Sequence, residues 1–108
     1  MSAAPYPDAK YLDVMPLHSG AAVYRLDISA VSASITLPAG GYLVCVEGMS
    51  SGYAVGRLGA AAAVPADGAS VTGFHLSPGA VYTLDTPGAV LHAITSTGSG
   101  TLLATKLR

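Results

Sequence analysis

With 108 residues, 10% of them charged and a formal net charge of −1, the chain has room for one domain. It carries no basic stripe to attract phosphates, which removes the main electrostatic contribution to nucleic-acid binding. A single cysteine, Cys45, excludes an internal disulfide framework, and no apolar run approaches the roughly 18 residues that cross a bilayer.

The first segment, MSAAPYPDAKYLDVMPLHSG, contains Pro5, Pro7 and Pro16, which forbid a regular helix or a central strand. Tyr6, Tyr11, Leu12, Val14, Met15 and Leu17 make it too apolar for a freely solvated tail. The expectation is an extended N-terminal arm over residues 1–20, lying against its own domain or a neighbour. It lacks the basic region and apolar stretch of a signal peptide. Ser2 stands where myristoylation would need glycine. The chain is therefore expected to be made in the cytoplasm and to have no membrane partner.

From residue 21 to 108 the chain reads as short strands punctuated by turns. Strands are predicted at 22–29, 33–37, 41–47, 52–58, 70–76, 80–85, 89–96 and 100–107. In the first, Tyr24, Leu26 and Ile28 share one face, and Arg25, Asp27 and Ser29 share the other, the alternation of a half-buried antiparallel strand. The third departs from it. Tyr42, Val44 and Val46 are apolar, and so are Leu43 and Cys45 on the reverse face. Leu102, Leu103 and Ala104 show the same two-sided character, which calls for a central position or a subunit contact. Residues 59–65, GAAAAVP, are too short between Gly and Pro to nucleate a helix and read as a loop. Turns are expected at Pro38-Ala39-Gly40-Gly41, Pro65-Ala66-Asp67-Gly68, Pro78-Gly79 and Pro87-Gly88. Thr97-Gly98-Ser99-Gly100 reads as the tip of a final hairpin. About eight strands at this spacing predict an all-β, antiparallel β-sandwich of jelly-roll-like type.

Signatures of catalysis fail on context. Gly48-Met49-Ser50-Ser51-Gly52 fits the G-x-S-x-G spacing of a nucleophile elbow, but that chemistry needs a helix after the serine and a large α/β sheet. His18, His75 and His92 occur singly. His75 and His92 fall on strands expected to be neighbours and could meet in space, with Asp85 as a third group, yet backbone-bonded imidazoles account for them more simply. Six acids, Asp8, Asp13, Asp27, Glu47, Asp67 and Asp85, are scattered along the chain and show no pair placed for glycoside chemistry. The expectation is a protein that is not an enzyme and has no cofactor, no metal and no nucleic-acid partner. Asn, Gln and Trp are absent. A surface built from Ser, Thr, Gly and backbone, with so few ions, solvates weakly, so partner chains are expected to cover part of it.

The phrases LPAGGYLVCVEG, GYAVGRLGAAAAVPADG and FHLSPGAVYTLDTPGAVLHAITSTGSGTLLATKL together resemble small β-sandwich accessory proteins of tailed-bacteriophage virions. The shared features are an L-P-A-G-x-Y strand entry, an Ala-rich loop, an L-x-P-G turn and a terminal h-x-A-I-x-x-x-G-x-G-x-L hairpin. The resemblance spans about residues 33–107 and leaves the arm uncovered. It implies a virion location and a structural role as a capsid decoration (cement) protein, with the major capsid protein or other virion proteins as partners. No catalytic residues are implied. A homo-oligomer such as a trimer is expected, with Tyr6, Tyr11, Leu12, Val14, Leu17, Leu43 and Cys45 at the partner interface. Alternatives are a neck, tail or fibre-attachment component, a carbohydrate-binding adhesion module on the same sandwich, and a small cupin-like enzyme.

Overall fold

The computed structural model describes residues 20–108. The predicted arm, with Tyr6, Tyr11, Leu12, Val14 and Leu17, lies outside the described residues. The described residues form eight strands: β1 (Val23–Ile28), β2 (Ala33–Leu37), β3 (Gly40–Glu47), β4 (Ala54–Leu58), β5 (Phe74–Leu76), β6 (Val81–Thr86), β7 (Ala89–Thr95) and β8 (Gly100–Lys106). They make two four-stranded antiparallel sheets, β1-β8-β3-β6 and β2-β7-β4-β5. Of the seven connections, only β4–β5 joins two strands of one sheet, and the other six cross between sheets. This is the paired Greek-key order of a jelly roll, as the strand spacing predicted.

Alternation decides which residues meet between the sheets. The first sheet turns inward Leu26 and Ile28 from β1, Tyr42, Val44 and Val46 from β3, and Leu102 and Ala104 from β8. The second contributes Leu37, Ala54, Leu76, Leu91 and Ala93. Thr95 is a buried polar exception, and its hydroxyl donates to the Gly98 carbonyl at 2.8 Å. That bond ties the end of β7 to the turn leading into β8, so burying the hydroxyl leaves no orphaned donor.

Two expectations need correction. Thr97-Gly98-Ser99-Gly100 is not the tip of a hairpin, because β7 and β8 lie in opposite sheets. The turn reverses the chain as its residues dictate, but β8 takes its hydrogen bonds from β1 and β3. The fifth strand is Phe74–Leu76 and not 70–76. Gly73, at φ +151°, admits no Cβ, since one would stand 2.6 Å from the Gly56 carbonyl oxygen. Residues 59–73 are instead a long loop, held by Gly59 N–H donating to Val90 O at 2.8 Å and Ala62 N–H donating to Ser32 Oγ at 3.1 Å.

Tyr42 closes one end of the core. It is 1% exposed, its ring meets Tyr24 edge-to-face at 6.0 Å, and its hydroxyl donates to Pro38 O at 2.6 Å. Burial, helped by the neighbouring Tyr24 phenol, pushes the Tyr42 hydroxyl above its usual value. The unfolded chain gives up this proton near pH 10 while the folded chain still holds it. The contribution to stability is therefore full below about pH 10 and is lost as the pH rises through the higher folded value. Tyr42→Phe is expected to cost about 1 kcal/mol near neutral pH. In urea unfolding, the difference between the two proteins should narrow above about pH 10.

Candidate interaction surface

The chemistry-bearing residues do not converge. Among the described residues, no three of His, Cys, Asp and Glu come together as metal ligands. His75 on β5 pairs across to Val55, and His92 on β7 pairs across to Arg57. Strand β4 thus lies between the two histidines, and Asp85 belongs to the other sheet. The juxtaposition of His75, His92 and Asp85 that the sequence left open does not form. Gly48-Met49-Ser50-Ser51-Gly52 crosses from β3 to β4, with Gly48 and Gly52 at φ +77° and +81°. A strand follows it, so the serines are turn residues without the helix that an elbow requires.

What the fold does assemble is the outer face of the first sheet. The register places Arg25, Leu103, Cys45 and Val81 in one row across β1, β8, β3 and β6. The adjacent row is Val23, Thr105, Leu43 and Thr83. Residues paired across antiparallel strands point to the same side, and the two rows stand two residues apart on every strand, so all eight share a face. Leu43, Cys45 and Leu103 are half-buried, and Val23 and Val81 are 61% and 63% exposed. No described segment covers this strip.

Two ion pairs stand on its charged margins, and Glu47, two residues beyond Cys45 on β3, adds an exposed carboxylate to the same face. Arg25 bonds Asp27 at 3.0 Å on β1, and Arg108 bonds Asp85 at 3.0 Å beside β6. Both pairs are exposed and add little stability, but they leave the centre of the face apolar and electrically neutral.

Leu43 and Cys45, predicted as partner-facing, do stand together here. Leu103, Val81 and Val23 complete the strip. The two-sided apolarity of β8 pointed to Leu103, whereas Val81 and Val23 occupy ordinary alternating positions and are drawn in only by cross-strand register.

The second sheet's outer face differs. Val55 is 5% exposed there because residues of the 59–73 loop stand over it. With Tyr53, His75, Pro65 and Val71 it lines a slot of about 200 Å³. The Tyr53 and His75 rings lie 5.1 Å apart at its rim. The loop thus covers the second sheet's outer face around Val55, while Ser34, Thr36 and His75 on that face stay exposed.

Compared with family models, with characterised proteins and with solved structures, the chain matches none.

Proposed function

We propose that this chain is a non-enzymatic building block that assembles with copies of itself through the outer face of the first sheet. In its finer form the reading is a decoration protein of a tailed-phage capsid, reinforcing the shell by many repeated weak contacts. The observation that carries it is the apolar strip of Leu43, Cys45, Val81 and Leu103 on a chain with 10% charged residues. An exposed apolar strip on a protein this poor in ions favours a contact site, because little charge elsewhere keeps the surface solvated. The jelly-roll order and the virion-like turn phrases agree with the finer form.

The mass of the purified full chain in solution tests the reading. An oligomer is expected, with a trimer at three times the 10.7 kDa chain mass. Leu103→Asp should return the protein to single chains with an unchanged β-type circular dichroism spectrum, since Leu103 stands outside the core. A native protein that stays a single chain at all workable concentrations overturns the reading.

The Tyr53–His75 ring pair favours carbohydrate binding as a second reading, because sugar faces stack on such rings. The slot beside it, about 200 Å³, falls below the usual range for ligand pockets, about 300–1,000 Å³, so it could hold little beyond a single sugar ring. Glycan-array binding that is lost in Tyr53→Ala would support this second reading.

A further inference from the structure

We infer that the strip on the first sheet is the seat of part of the N-terminal segment, residues 11–14, donated by a neighbouring copy of the chain. The inference rests on the assembly reading and names what covers its contact face.

Size is the first argument. Four strands at about 4.8 Å spacing make a face about 14 Å wide, and the two rows together, Arg25, Thr83 and Thr105 included, present on the order of 200 Å². A globular partner needs about 800 Å² per side for a stable contact. Packed sheet to sheet, the strip alone therefore falls well short of a dimer interface. It does match a short extended segment whose apolar side chains drop into a row of Leu, Cys and Val positions.

Position and length are the second. The described chain begins at Gly20, and Lys106 N–H donates to Ala22 O at 2.8 Å. The segment therefore leaves the domain at the β1 edge of this same sheet, beside the row of Val23 and Thr105. Tyr6, Tyr11, Leu12, Val14, Met15 and Leu17 supply the apolar residues. From Tyr6 to Leu17 an extended chain reaches about 36 Å, more than twice the width of the sheet. The molecule's own strip can hold only the residues nearest Gly20, and Tyr6 and Tyr11 overshoot it. A neighbour's strip has the same width and takes about four extended residues, such as Tyr11, Leu12 and Val14, which the molecule's own strip does not reach. Each copy would then donate a segment and receive one, a heterologous contact that closes into a ring such as a trimer.

Cys45, the single thiol of the chain, sits in the middle of the strip and reports on its cover. The experiment measures alkylation of Cys45 by iodoacetamide in the full-length protein, with the urea-unfolded chain as the rate for a free thiol. Cys45 should be protected in the native assembly. Combined Tyr11→Asp, Leu12→Asp and Val14→Asp substitutions in the full chain should raise its rate by about tenfold or more and dissociate the oligomer. In the unsubstituted protein, protection should fall as dilution dissociates the assembly.

Three results overturn the inference. Protection that survives dilution to single chains means that each copy covers its own strip. A Cys45 that reacts at the free-thiol rate inside an intact oligomer means that assembly uses another surface. An unchanged rate in the triple variant means that the segment is not the cover. The second of these leaves self-assembly itself standing, so the two failures can be told apart.

Discussion

Leu102→Ala is expected to lower the unfolding free energy by about 2–5 kcal/mol, whereas Leu103→Ala, one residue on, should cost about 1 kcal/mol or less. The two leucines are chemically identical and adjacent on the same central strand. Leu102 is 1% exposed and lies in register between Leu26 and Val46 on the inward face. Truncating it leaves a cavity between two sheets that cannot collapse freely, so the loss of contacts adds to the loss of burial. Leu103 faces out, between Arg25 and Cys45. Removing its side chain opens no cavity in a single copy. Chemical denaturation at high dilution, where any assembly has dissociated, checks both values. Equal costs there would mean that Leu103 is a core residue and that the strip is no surface at all. At concentrations that favour assembly, the cost of Leu103→Ala should grow while that of Leu102→Ala stays nearly constant, because only Leu103 would gain burial from a partner.

Gly56→Ala should destabilise the domain by about 1–3 kcal/mol, and Phe74→Leu in the same chain should recover much of that loss. Gly56 is buried on the inward face of β4, directly across from Phe74. A Cβ at position 56 would run into Phe74 Cε1 and stand 2.8 Å from Cζ. The ring lies over the bare glycine backbone and fills the space that a side chain would take. Edge strand β5 is held to β4 by its ladder, with Phe74 across from Gly56 and His75 across from Val55, and backing away would break those hydrogen bonds. The strain must therefore be met by moving the ring off its packed position. Leucine removes the ring atoms that clash, so the two substitutions should couple by about 1 kcal/mol or more in a double-mutant cycle. Additive effects would mean that the ring yields freely and that the glycine is not needed for packing.

The jelly-roll class and the places of the eight strands were legible in the sequence because alternation and turn residues are local signals. Tyr24, Leu26 and Ile28 announce their common face within six residues, and Pro87-Gly88 announces a reversal by its own backbone preferences. The fifth strand was overextended because Ser70, Val71 and Thr72 suit a strand as well as Phe74 does. The ladder ends at Phe74, and Gly73 before it takes φ +151° close against the Gly56 carbonyl, a contact between distant parts of the chain. The candidate surface was half legible. Two-sided apolarity in β3 marked Leu43 and Cys45, but nothing in the sequence joins them to Val81 on β6 or Val23 on β1.

The amino-acid sequence by itself determined where the chain extends, where it reverses and which side of most strands is apolar, since each of these follows from a residue's own shape and its immediate neighbours. Only the tertiary structure decided that Thr97-Gly98-Ser99-Gly100 leads from one sheet to the other, that β4 separates His75 from His92, and that Leu103, Cys45, Leu43 and Val81 form one face. A turn reverses the chain whether the next strand pairs beside it or crosses above it. The choice between those outcomes rests on which set of inward side chains fills the space between two sheets, and that is a property of the whole domain.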